Sequence, residues 1–162
     1  MAPPRIKVLI ENRAPRSRIS IPKLAAFTKR ILKFLGWKRV TLSVVLAGDG
    51  EMRELHRQYL GEDSPTDVLA FSQREGMYLP QDPLSFLGDV VISVDEAKRA
   101  GPRFGNRWDE ELLLYLCHGI LHLMGYRDST KAGKAKMDKK QEQILGKVLG
   151  RAWRSKRRKL LF

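Results

Sequence analysis

The stretch Leu116-Cys117-His118-Gly119-Ile120-Leu121-His122-Leu123-Met124-Gly125-Tyr126-Arg127-Asp128 carries both the architecture and the candidate chemistry. Two histidines four residues apart lie one turn above the other on a single helix face, so both imidazoles can reach one ion. Gly125 offers a place to end that helix and turn the chain, bringing Asp128 into range as a third ligand. Upstream, Leu112, Leu113, Leu114, Leu116, Ile120, Leu121 and Leu123 leave the helix apolar nearly all round. Such a helix is buried on several sides, so the rest of the chain must supply layers around it.

Those layers can be read outward. Arg5 to Ile10 alternates and then turns apolar, as a partly buried strand does. Ser20 caps a helix with Pro22 near its start and Leu24, Phe27, Ile31, Leu32 and Leu35 inward, ended by Gly36. Val40 to Ala47 is the clearest strand by β-branched content. A short helix from Asp49 carries Met52, Leu55, His56 and Tyr59 and closes near Gly61. Val68 to Phe71 and Phe86 to Ser93 read as further strands, with an exposed loop or hairpin over 72–85. Val94 to Ala100 makes a helix stopped by Gly101-Pro102, and Asn106 caps the central helix. A last helix runs from about Thr130 to Leu149, with Met137, Ile144, Val148 and Leu149 inward. The order predicts an α+β or mixed α/β single domain: a roughly four-stranded mixed sheet, about five helices, and the central buried helix carrying the ligands. The domain spans 1–150, and 151–162 is a basic tail.

The chain of 162 residues is 43% apolar, which suits a globular domain that folds without disulfides. No apolar run is long enough to span a bilayer, and no hydrophobic signal region is expected at the start. The single cysteine, Cys117, has no internal partner, so a cytoplasmic location is expected. The net charge of +13 is divided unevenly: +10 over 1–39, −7 over 40–126 and +10 over 127–162. Strongly basic ends around an acidic centre point to a polyanionic partner, nucleic acid ahead of a membrane surface.

His118, His122 and Asp128 supply two imidazoles and one carboxylate. Three protein ligands leave positions for water or substrate, the arrangement of a catalytic metal. One zinc ion is expected, with Fe(II) or nickel also suited to the donor set. The metallopeptidase pattern HExxH fails, because Gly119 stands where its glutamate base belongs. His56, Asp67 and Glu111 are further bases with no place assigned, and no general base is named. His56 reads as a surface-edge residue, Glu111 as a helix-start acid, and Tyr115 and Cys117 as core. Arg151, Arg154, Lys156, Arg157, Arg158 and Lys159, with Trp153 among them, form a basic run suited to phosphate contacts and base stacking, a candidate nucleic-acid-binding segment.

Three segments carry a resemblance to a known family. His118 to Tyr126 resembles the YbeY signature H-G-x-L-H-L-x-G-Y-D-H; Asp63-Ser64-Pro65-Thr66-Asp67-Val68-Leu69-Ala70-Phe71 resembles its D-x-P-T-D-V-L-S-F segment; Leu87-Gly88-Asp89-Val90-Val91-Ile92-Ser93 resembles its L-G-D-I-x-I-S strand. The resemblance implies a single α/β domain, a zinc held by three side chains, and cleavage of single-stranded RNA in maturation of small-subunit (16S) ribosomal RNA and ribosome quality control. It also implies association with the ribosome or its small subunit. Two positions depart from the pattern. Asp128 stands at the third ligand histidine, preceded by Arg127 in place of aspartate, and Leu60 stands where the family usually has arginine. These departures define the competing expectation, an RNA-binding assembly factor with weak or absent cleavage and a structural metal.

Overall fold

The computed structural model describes residues 5–63, 66–72 and 86–150. Four strands, β1 (Arg5–Asn12), β2 (Arg39–Ala47), β3 (Val68–Ser72) and β4 (Phe86–Ser93), form one sheet in the order β1-β2-β4-β3. The first three neighbours run parallel, and β3 pairs antiparallel with β4 as an edge strand. Five α-helices accompany them: α1 (Ile21–Phe34), α2 (Asp49–Leu60), α3 (Val94–Arg103), α4 (Trp108–Leu123) and α5 (Lys131–Leu149). This is the mixed α/β domain expected from the sequence.

Alternation along the strands sorts the core. Val40, Leu42, Val44 and Leu46 of β2 join Val90 and Ile92 of β4 beneath α1, α4 and α5. Val45, Ala47, Leu69 and Val91 face the opposite way and meet Met52 and Leu55 of α2. Helix α4 is therefore sandwiched between the sheet and α5, and its run from Glu111 to Leu121 is buried without a break. A helix that is apolar all round is stable only in such a position. The cost of exposing any one of its leucines is about 1.5–3 kcal/mol.

The helix ends follow their capping chemistry. The Ser20 hydroxyl accepts from Lys23 N, and the Thr130 hydroxyl from Gly133 N. Two expected boundaries moved. Gly101-Pro102 does not stop α3, which continues to Arg103. A proline one residue from the end disturbs only the last turn. Gly101 instead permits close approach, since a Cβ there would lie 3.0 Å from the Trp108 Cα. The cap of α4 is Arg107 rather than Asn106, with Arg107 N donating to the Glu110 carboxylate at 3.0 Å. Asn106 spends its side chain on Glu111, donating from Nδ2 to Oε2 at 3.2 Å.

Candidate metal centre

The site begins with the way α4 ends. Gly125 adopts φ 100°, a left-handed conformation that glycine takes without strain. Gly125 N then donates to His122 O and Tyr126 N to Leu121 O, each at 3.0 Å, the paired bonds of a Schellman turn. Trp37 Nε1 donates to Met124 Sδ at 3.4 Å and ties this corner to the strand β2 approach. Arg127 adds Nη1 bonds to the carbonyls of Tyr126 (2.9 Å) and His122 (3.3 Å), placing a cation on the negative end of the helix. The reversed chain brings Asp128 back over the two histidines.

His118 Nε2 and His122 Nε2 lie 3.0 Å apart. Asp128 offers Oδ2 at 3.5 Å from the first and Oδ1 at 3.9 Å from the second. Tetrahedral zinc with bonds of about 2.0–2.1 Å separates its ligand atoms by about 3.3 Å. The three observed distances bracket that spacing. The other ring nitrogens fix the tautomers. His118 Nδ1 is 2.6 Å from Gln141 Oε1, and His122 Nδ1 is 3.1 Å from Tyr126 O. Both oxygens can only accept, so each Nδ1 carries the proton and each Nε2 presents a lone pair. Two ring nitrogens and a carboxylate converging on one point make a grouping that could hold a metal ion. The donor set fits a divalent metal.

Side-chain exposure rises from 4% at His118 through 12% at His122 to 21% at Asp128, so the centre opens on the Asp128 side. Gly119 faces the other way: a Cβ there would lie 2.6 Å from Val90 Cγ1 and 3.1 Å from Val68 Cγ2. The missing methyl lets α4 settle on the sheet and holds the histidine face toward α5.

Among the described residues, these three form the grouping of ligand-type side chains with all atoms within 4.8 Å of one another. Glu111 is fully buried two turns earlier, tied to Asn106, and Tyr115 is buried in the core. Cys117 is fully buried too, and burial pushes its thiol well above the ordinary range, which makes it inert. His56 is not the surface residue expected: it is 6% exposed, with Nε2 3.5 Å from Glu62 Oε2. Asp67 is buried at the start of β3, where its Oδ1 accepts from Val68 N at 2.8 Å. Leu60 ends α2 with half its surface exposed, and nearby arginines do not replace the missing cation. Arg53 pairs with Asp63 and Arg57 with Glu54. The candidate RNA-binding residues Arg151, Arg154, Lys156, Arg157, Arg158 and Lys159, like loop 73–85, lie outside the described residues.

Gln141 has no counterpart among the residues picked from sequence. It is 2% exposed and sits in the inward stripe of α5 between Met137 and Ile144. A lone amide in an apolar stripe was the available signal. Its substitution by leucine removes the acceptor that orients His118. Metal affinity is then expected to fall about 10- to 100-fold, as competition against a chromogenic chelator would measure. An unchanged affinity would show that His118 is oriented without it.

A family model described as Endoribonuclease YbeY matches residues 9–149. The chain belongs to the YbeY family. It is 40% identical over 142 residues to Endoribonuclease YbeY of Geobacter metallireducens, covering 86% of this chain and 93% of that one. Identity to the Frankia casuarinae protein of the same name is 36% over 145 residues, covering 85% and 72%. The solution structure of TM1509 from Thermotoga maritima superposes with a TM-score of 0.62 at 28% identity, covering 90% of each chain. The fold, the family and the three-residue grouping thus agree with the resemblance carried by the signature segments. No helix among the described residues is long and apolar enough to cross a membrane.

Proposed function

We infer that this YbeY family member is a metal-dependent endoribonuclease that cuts single-stranded RNA at a zinc centre formed by His118, His122 and Asp128, in small-subunit ribosomal RNA maturation. The observation that carries it is the convergence of two Nε2 lone pairs and one carboxylate, with both tautomers set by Gln141 and Tyr126. A divalent ion bound there supplies Lewis acidity toward a phosphoryl oxygen and lowers the pKa of a bound water. The protein's own part is to hold the ligands rigid. The Schellman turn fixes Asp128, Gln141 fixes His118, and the Tyr126 carbonyl fixes His122. Asp128 is the most exposed of the three, so a substrate would approach from its side, and the surplus of positive charge attracts phosphates. Membership of the family supports the further reading that the substrate is ribosomal RNA, the partner the small subunit and the compartment the cytoplasm, and the basic ends of the chain suit an RNA partner. The competing reading, a structural metal in an assembly factor, gains no support from the described residues, among which three ligand-type side chains converge rather than four.

Metal removal tests this function. Protein stripped with a chelator is expected to lose cleavage of a single-stranded RNA by at least two orders of magnitude and to regain it with one equivalent of zinc. Parallel reloading with Fe(II) and nickel ranks the metals. Cleavage by the stripped protein at the holoprotein rate would overturn the metal-dependent mechanism.

A further inference from the structure

Two aromatic rings, Tyr126 in the ligand loop and Phe34 at the end of α1, each lie beneath a lysine of α5. Lys136 Nζ is 5.5 Å from the Tyr126 ring centroid, and Lys140 Nζ is 5.8 Å from that of Phe34. The lysines are four residues apart, so they share a face of α5 with a rise of about 6 Å between them. The row is continuous with the metal residues through its chain neighbours. Gln141, which follows Lys140, bonds His118, and the carbonyl of Tyr126 bonds His122. It therefore starts at the ligand loop and runs along α5 to the C-terminal end of α1.

Charge and exposure separate this row from an ordinary solvated helix face. Lys134 is neutralised by Asp138. Among the described residues, no carboxylate is paired with Lys136 or Lys140. Phe34 stays 40% exposed, although its helix buries Ile31 and Leu32 completely. Lysines without a paired carboxylate, each over a ring that is 40% exposed (Phe34) or partly buried (Tyr126), match a single nucleic-acid strand whose phosphates draw the cations off the rings and whose unpaired bases take their place. A duplex hides its base faces and cannot use the rings.

We propose that Tyr126–Lys136 and Phe34–Lys140 form a track that guides the single-stranded RNA substrate on one side of the bond being cut. The proposal rests on RNA being the substrate of the metal centre. Lys136 and Lys140 are positioning residues here, acting through the phosphates that flank the reacting one. The track sets how much flanking strand the enzyme needs, so its loss falls on long substrates and spares short ones.

The test pairs binding with cleavage, using full-length metal-loaded protein and two RNAs, one of about thirty nucleotides and one of about five. For Lys136→Ala/Lys140→Ala, KM for the long RNA is expected to rise at least tenfold while kcat stays within about twofold. KM for the short RNA should stay unchanged. The slope of log affinity against log salt, read from fluorescence anisotropy, should fall in magnitude by about 1.4, or 0.7 for each lysine. Phe34→Leu keeps the apolar bulk without the ring and should weaken long-RNA binding about fivefold at unchanged salt slope. Lys147→Ala, in the last turn of α5, serves as the charge control and should alter binding less than twofold. Equal losses in Lys147→Ala, or an unaltered salt slope in the double variant, would overturn the track. Anisotropy reads binding without cleavage, so a wild type that cuts no faster than its stripped form indicts the endonuclease reading and leaves the track testable.

Discussion

Alanine at His122 is expected to remove the bound metal and lower RNA cleavage about a thousandfold or more, with the fold retained. Lewis-acid stabilisation of developing phosphoryl charge is worth several kcal/mol, and each 1.36 kcal/mol is a factor of ten in rate. His122 is the better probe of the two histidines. It is the more exposed ring, and its loss leaves the buried His118–Gln141 bond in place. His118→Ala should abolish activity as completely, but it also strands the Gln141 amide in a site that is 2% exposed. An orphaned buried acceptor costs about 1–3 kcal/mol, and the cavity adds to that. Elemental analysis, thermal melting and cleavage of one RNA by both variants separate these effects. If His122→Ala retains stoichiometric metal or cuts at more than a tenth of the wild-type rate, the centre is not where the chemistry occurs.

Asp128 changes the character of this centre without dissolving it. A carboxylate in place of an imidazole would lower the net charge of a divalent metal complex held there by one and make the ion a weaker Lewis acid. Arg127, standing where the family pattern has aspartate, opposes that change with a guanidinium fixed on the Tyr126 and His122 carbonyls. Its charge lies one residue from the ligand and raises the local potential. The exposed Leu60 has no such counterpart, since Arg53 and Arg57 are engaged with acids of their own. In the proposed track Lys136 and Lys140 reach flanking phosphates only, so at the reacting one they do not stand in for the arginine that Leu60 replaces.

The parts of this site that depend on local chain geometry were legible in the sequence. The spacing of His118 and His122, the turn at Gly125 and the return of Asp128 all follow from helix periodicity and one glycine, and the structure brings the three together. Ser20 caps its helix as its side chain requires. The misreadings share a different cause. Gly101-Pro102 looks like a stop signal, but whether a proline ends a helix depends on how many turns remain. Asn106 looks like a cap, but its amide is drawn to the buried Glu111, a tertiary demand that no local rule contains. His56 looked peripheral because α2 is polar overall, yet its stripe rests on the sheet beside Met52. Gln141 was overlooked because its role exists only once α5 lies against α4. A polar residue in an apolar stripe marks where such a tertiary partner is needed, and here that partner is the candidate ligand His118.

Gly119 gives the second large effect, and it decides against peptidase chemistry on grounds beyond the absent glutamate. Glutamate at this position would complete an HExxH pattern in the sequence. Its Cβ, however, would point into Val90 Cγ1 at 2.6 Å and Val68 Cγ2 at 3.1 Å, away from the ligand face. Both valines are fully buried, so neither side chain has room to yield. Gly119→Glu thus forces a carboxylate between α4 and the sheet, where an unpaired charge costs several kcal/mol on top of the overpacking. A domain of this kind has only about 5–15 kcal/mol in reserve. This variant is expected to be unfolded or aggregated at 37 °C and to show no peptidase activity. Gly119→Ala sets the scale. Its added methyl costs about 1–3 kcal/mol in packing and regains about 1 kcal/mol in helix propensity. The net loss of up to about 2 kcal/mol corresponds to a Tm lowered by up to about 8 °C, with metal content unchanged. Calorimetry on the two variants distinguishes the outcomes. A folded, metal-loaded Gly119→Glu protein would mean that this face of α4 is not pressed against β3 and β4.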